Sequence, residues 1–231
     1  MNVIKTEIDG VVIVEPKVFG DNRGYFFESF SERDFSEAVR PMSFVQDNES
    51  LSTYGVIRGL HYQTGRFCQS KLLRVIKGQV LDIAVDIRKG SPTFGKYVSV
   101  ILSGDNHRQL FIPRGFAHGF SVLSEEAVLQ YKCDRFYAPE AQGAIAWNDP
   151  ALGIDWQVPA EAVILSEKDK THPLLKDATD LFDYNEDLYA EASRLPASSE
   201  LFLPRFACAE RRVEVLGDPD AVHPHRLRPG R

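Results

Sequence analysis

Between Gly10 and Trp147 the chain is cut into short β-branched and aromatic runs: VVIVEPKVF, YFFESF, SKLLRVIKGQVLDIAVDI, KYVSVILS, RQLFIP, HGFSVLS and AVLQYKC. Runs of that length, separated by turn residues, predict an all-β sandwich or barrel. VLDIAVDI alternates imperfectly, apolar on one face with Asp82 and Asp86 on the other. The glycine turn chemistry of KGQV and SGDNHR predicts hairpin connections. One short peripheral helix is expected over 31–39, SERDFSEAV, with Ser31 as N-cap and Asp34 three residues on in a capping-box-like arrangement. SEKDKTHPLLKDA is a second helical candidate, cut early by Pro173.

A chain of 231 residues can bury one sizeable core. After about Asp180 the composition turns acidic and weakly helical, and it ends in RRVEVLGDPDAVHPHRLRPGR, rich in Pro, Gly and Arg without a period. The expected division is therefore a domain over 1–180 and a C-terminal extension over 181–231 that is loose or packed on a partner chain. His223 and His225 read as part of a solvated tail. No apolar run approaches the ~20 residues of a membrane helix. MNVIKTEIDG lacks the layout of a secretory signal, so a cytoplasmic protein without a membrane partner is expected. Cys68, Cys133 and Cys208 lie far apart without a CxxC pair and read as incidental or buried thiols. A net charge of −6 argues against a nucleic-acid partner, which needs a cationic stripe. A local pocket for a small anion stays open, because Arg23, Arg58, Lys71, Arg114 and Lys168 sit in motif-like segments.

His61, in VIRGLHYQ, is open to three readings: metal ligand, catalytic base or core residue. FIPRGFAHGF, with Pro113, Gly115 and His118, resembles the second motif of the cupins, whose jelly roll agrees with the all-β reading. Cupin metal sites also need two histidines one residue apart and a glutamate a few positions on. Here Gln63 stands at the second histidine and Lys71 near the carboxylate, so no metal is expected and the scaffold reads as converted to acid/base work.

More narrowly, the chain resembles the dTDP-4-dehydrorhamnose 3,5-epimerases. The matching segments are EPKVFGDNRGYFFESF, FVQDNES, VIRGLHYQ, KLLRVIKGQVLDIAVDIRKGSPTFGKYVSV, IPRGFAHGF, YKCDRFYAPEAQGAIAWNDPALGIDW and LSEKD, in family order to about Leu175. The resemblance implies a cupin-type jelly roll (double-stranded β-helix) with a few short peripheral helices. It also implies a homodimer, no cofactor, and a dTDP-linked 4-keto-6-deoxyhexose as substrate. Inverting a carbon next to a ketone needs a base on one face, a group that stabilises the enolate, and an acid on the other face. By resemblance His61 is the base, Asp169 its partner, Lys71 the enolate stabiliser and Tyr131 the proton donor. Arg23 and Arg58 match phosphate contacts, and Tyr137 matches the aromatic that stacks on thymine. Glu28, Gln46, Asp47, Asn48 and Lys168 match nucleotide or sugar positions, and His118 matches a second pocket histidine. Gln142 departs from the glutamate of many relatives and leaves that nucleotide contact open. Rival readings are a single-carbon epimerase, an epimerase of another nucleotide sugar such as a GDP-linked heptose, a 3,4-ketoisomerase, a metal-dependent cupin oxygenase, and a non-catalytic sugar-binding cupin.

Overall fold

The computed structural model describes residues 1–190. Cys208, His223, His225 and most of the expected extension lie outside the described residues.

The chain enters through β1 (Asn2–Lys5), β2 (Val12–Glu15), β3 (Phe19–Asp21) and β4 (Gly24–Phe26), followed by the helix α1 (Glu32–Ala38). The remaining strands follow: β5 (Gln46–Thr53), β6 (Ile57–Gln63), β7 (Lys71–Lys77), β8 (Gln79–Asp86), β9 (Arg88–Lys89), β10 (Tyr97–Ser103), β11 (Gln109–Ile112), β12 (Phe116–Val122), β13 (Glu126–Cys133) and β14 (Gln142–Ala144). A short β15 (Phe182–Asp183) pairs with β9. Strands in the order β1-β2-β11-β7-β13-β5 make a six-stranded sheet, and β10-β8-β12-β6-β14 make a five-stranded one. Pairing within both is antiparallel, and together they form the expected cupin-type jelly roll.

The inner core draws Leu73, Val75, Leu110, Ile112 and Leu129 from one sheet, and Val80, Val98, Leu102, Phe120 and Val122 from the other. Leu73, Leu102 and Leu110 are fully enclosed. Each contributes about 1.5–3 kcal/mol relative to an exposed position. The five-stranded sheet is covered on its outer face as well, where Leu81, Ile83 and Val85 meet Leu152, Trp156, Leu175 and Phe182.

That second covering corrects the reading of β8. Asp82 and Asp86 are both fully buried, so the polar side of the strand does not face water. By alternation Asp82 lies between the core residues Val80 and Ala84 and points between the sheets. Asp86 accepts hydrogen bonds from Arg88, Ser91 and Thr93 and ties down the following loop.

Two expected hairpins are absent. KGQV joins β7 to β8, and SGDNHR joins β10 to β11, and in each case the strands belong to different sheets. The glycine turn is real, with Gly78 at φ +79, but it carries the chain from one sheet to the other. The helix α1 forms where expected, Ser31 Oγ accepting from the Asp34 backbone N–H at 3.3 Å and Phe35 buried against Phe30, Phe44 and Phe111. SEKDKTHPLLKDA forms turns and a single 3₁₀ turn, Leu175–Asp177, with no α-helix, in keeping with a proline at its centre.

Residues 181–190, expected in the extension, lie on the barrel. Tyr189 OH bonds Ser70 Oγ at 2.7 Å and accepts from the Arg114 backbone N–H at 3.0 Å, while Arg114 Nη1 donates to Leu188 O at 2.7 Å. Arg114 also forms a buried ion pair with Asp134 at 2.9 Å. Its charge is therefore spent inside the protein and not in an anion pocket. Cys68 and Cys133 are buried thiols, and burial raises both to about 11.

Candidate active site

One wall of the site begins with two glycines. Gly59 on β6 has φ +137, and a Cβ there would lie 2.5 Å from Gly119 Cα on β12; a Cβ on Gly119 would lie 2.9 Å from Arg58 O. Only glycine lets the two strands approach so closely at this point. The neighbouring register pairs His61 with His118, so two imidazoles are mounted side by side on the five-stranded sheet. The six-stranded sheet supplies Lys71 from the start of β7 and Tyr131 from β13, the latter paired with Asn48 of β5.

These side chains meet in a cavity of about 270 Å³ lined by Glu49, Ser50, Arg58, His61, Lys71, His118, Phe120, Tyr131, Gln142, Ser166, Lys168, Asp169 and His172. His61 Nε2 is 2.6 Å from Asp169 Oδ1; the imidazole is 31% exposed and the aspartate 5%. Burial pushes the Asp169 pKa up, but hydrogen bonds from His61, Ser166 and His172 outweigh it, and the carboxyl is held below its usual range. The pair is thus an imidazole, open to a ligand on one side, backed by an ionised carboxylate.

Burial lowers the Lys71 pKa, against the opposing pull of Cys133 and Asp82. Burial raises that of Tyr131, keeping the phenol protonated at neutral pH. Lys71 Nζ stands 5.9 Å from the Tyr131 ring centre. The cavity therefore holds a carboxylate-backed imidazole, an ammonium and a phenol from three strands and one loop. That set can remove a proton next to a carbonyl, stabilise the oxyanion and return a proton.

Around the rim, Arg58 Nε donates to Ser52 Oγ at 3.1 Å. Gln46 Nε2 donates to Asn48 Oδ1 at 2.8 Å, and Gln46 Oε1 accepts from the Tyr137 backbone at 2.9 Å. Tyr137 OH donates to Gln142 Oε1 at 3.2 Å, so the amide at position 142 orients an exposed ring. Asp47 points the other way, as its place between Gln46 and Asn48 on a strand requires, and pairs with Lys132 at 2.9 Å. Arg23 and Glu28 also lie apart from this cavity: Arg23 is paired with Asp21 on the β3–β4 hairpin, and Glu28 lines a hollow beside α1. Gln63 is tied into a loop, donating to Phe67 O at 2.8 Å and accepting from the Ala138 N–H at 2.7 Å. It does not face the cavity beside His61.

Beyond the residues the sequence marked, Asp82, Ser166 and His172 join the hydrogen-bond network of the site, and Glu49, Ser50 and Phe120 also line the cavity. Asp82 holds His118 Nε2 at 3.1 Å, making a second, buried imidazole–carboxylate pair. Burial lowers the His118 pKa and Asp82 partly restores it. Ser166 donates to Asp169 Oδ2 at 2.8 Å, and His172 Nε2 lies 3.2 Å from Asp169 Oδ1. The available signal for Ser166 and His172 was spacing: each is three residues from Asp169 in the SEKDKTH turn.

Comparison with known proteins gives a consistent result. The sequence profile described as dTDP-4-dehydrorhamnose 3,5-epimerase matches residues 5–177. A dTDP-4-dehydrorhamnose 3,5-epimerase of Shigella flexneri is 58% identical over 170 residues, covering 73% of this chain and 93% of the relative. The Salmonella typhimurium enzyme of the same name is 54% identical over 179 residues, 77% of this chain and 97% of the relative. Among solved structures, the dTDP-6-deoxy-D-glucose-3,5-epimerase of Legionella pneumophila in complex with dTDP-4-keto-L-rhamnose superposes with a TM-score of 0.78. It is 50% identical, covering 80% of this chain and 99% of that one.

Proposed function

The chain belongs to the dTDP-4-dehydrorhamnose 3,5-epimerase family, and from that premise we propose how its residues divide the work. The protein is an isomerase that inverts C5 and C3 of dTDP-4-dehydro-6-deoxy-D-glucose, giving dTDP-4-dehydro-L-rhamnose. His61 takes the proton next to the 4-keto group, and Asp169 fixes its tautomer and stabilises the imidazolium as it forms. Lys71 faces the oxygen on which negative charge develops, and Tyr131 returns a proton to the opposite face of the ring. Arg58 takes a phosphate, Gln46, Asn48 and Lys168 hydrogen-bond the nucleotide or sugar, and Tyr137 stacks on the base. His118, held by Asp82, contacts the sugar. The observation that supports this division most is the single cavity into which His61, Lys71, Tyr131 and Asp169 all open.

Incubation with dTDP-4-keto-6-deoxyglucose in D₂O, followed by NMR of the sugar, tests the reaction. Deuterium is expected at both C3 and C5. Label at only one carbon would reduce the protein to a single-site epimerase, and no label would remove this nucleotide sugar as substrate.

Arg23 and Glu28 enter the scheme through a second copy. The β3–β4 hairpin exposes Phe19, Tyr25 and Phe26, the last at 72%. We read it as the element that a homodimer covers and that carries Arg23 to the partner's cavity. Mixed dimers of Arg23→Ala and His61→Asn subunits are expected to recover turnover toward about a quarter of wild type, since each heterodimer regains one complete site. If Arg23 serves its own chain, the mixture stays at the mean of the turnovers of the two parent variants. Among the described residues no helix is long and apolar enough to cross a membrane. A cytoplasmic location suits an enzyme whose substrate is a charged nucleotide sugar.

A further inference from the structure

We infer that this cavity also takes a divalent transition cation of the zinc class, held by His61, Asp169 and His172, and that the ion inhibits the enzyme. The inhibition rests on reading His61 as the base; the binding of the cation does not.

Asp169 Oδ1 stands between two imidazoles, 2.6 Å from His61 Nε2 and 3.2 Å from His172 Nε2. The two rings are 5.7 Å apart and perpendicular, at 89°, and the three donor atoms lie within 4.8 Å of one another. Two neutral imidazoles and one carboxylate, with a fourth position open, are a donor set suited to zinc. Zinc–nitrogen and zinc–oxygen bonds of about 2.0–2.2 Å place tetrahedral donors roughly 3.4 Å apart. The His172–Asp169 distance is already close to that. The His61–Asp169 distance must open by under about 1 Å, as the proton the pair shares gives way to an ion at that bond length, and the His61–His172 pair, within 4.8 Å, must close by up to about 1.4 Å.

The carboxylate is held for the purpose. Ser166 Oγ donates to Oδ2 at 2.8 Å and accepts from the Asp169 N–H at 3.1 Å, which leaves Oδ1 directed at the two rings. Opposing charge is limited. Lys71 lines the same cavity, but burial works against its charge and so weakens its opposition to a cation. Arg58 and Lys168, which also line the cavity, are exposed, and water and salt screen them. A cation on His61 Nε2 takes the nitrogen that faces Asp169 and so forces the ring's one proton onto Nδ1, which leaves no lone pair to accept the substrate proton and blocks the reaction.

The test begins without substrate. The full-length protein, stripped with chelator, is titrated with Co²⁺ while its visible absorption is followed, then with Zn²⁺ by calorimetry. One Co²⁺ per chain with low-coordinate absorption is expected, displaced by Zn²⁺. His172→Gln is expected to weaken both by about 10-fold or more. Epimerisation should fall in step with Zn²⁺ occupancy, each protein compared with its own metal-free rate, and return with chelator. Absence of saturable Co²⁺ binding, or equal affinity in His172→Gln, overturns the site. Stoichiometric binding with full turnover overturns the inhibition, and it points to the assignment of His61 and not to the cation.

Discussion

Replacing His61 with asparagine is expected to lower epimerisation by about 10²–10⁴-fold, the span that a positioned general base contributes. The loss should fall on turnover, because the phosphate and base contacts of the nucleotide belong to other residues. The imidazole is part-exposed and its main partner is Asp169, so the unfolding temperature should stay within about 3 °C of wild type. Asp169→Asn should show a similar loss in turnover: the side chain keeps its shape but no longer stabilises the imidazolium. Deuterium exchange at C3 and C5, measured with calorimetric melting, reads both quantities. Exchange within a few-fold of wild type in the asparagine variant would remove His61 from the mechanism.

Lys71→Met should separate activity from stability. Removing a fixed charge from a developing oxyanion costs about 10²–10³-fold in turnover, and that loss is expected here. Stability should move the other way. Burial lowers the Lys71 pKa in the folded protein, so the folded state binds this proton less readily than the unfolded chain does. By linkage, this site penalises folding fully below the folded-state pKa, and the penalty fades as pH rises through that pKa toward the ordinary lysine value. A methionine of similar volume removes the penalty. The variant should therefore resist denaturant at least as well as wild type at neutral pH, with the advantage shrinking in alkali. Denaturant midpoints across that range test the sign, and a variant with wild-type turnover would show that Lys71 does not face the reaction.

Much of this was legible in the sequence because the chain repeats one physical signal: short apolar runs broken by turn residues. The strands and α1 with its Ser31 cap follow from that signal, whereas His61, Lys71, Tyr131 and Asp169 were named through the family resemblance and line one cavity in the structure. What stayed hidden were facts about the third dimension. Gly78 announces a turn, but no local residue says whether the next strand pairs with the last or joins the opposite sheet. Asp82 alternates with apolar neighbours as a solvated residue would, yet the C-terminal segment covers one face of β8 and the opposite sheet covers the other. Strand alternation alone could have separated Asp47 from Gln46 and Asn48, since successive side chains on a strand point to opposite faces of the sheet. His172 carries no local mark of its role: the proline beside it signals the end of a helix, and only the tight turn of the folded chain brings the imidazole back onto Asp169.

The way the cavity is mounted sets a condition on when the protein can work at all. His61 and His118 ride on one sheet, Lys71 and Tyr131 on the other, and the apolar layer packed between the sheets holds them at their working separation. A swollen state that kept both sheets hydrogen-bonded but loosened that layer would keep its strand signature in circular dichroism and lose its chemistry. Turnover is thus a probe of side-chain packing in the barrel interior. Followed through a denaturant titration, it should vanish with the aromatic near-ultraviolet signal, ahead of or together with the backbone signal and never after it.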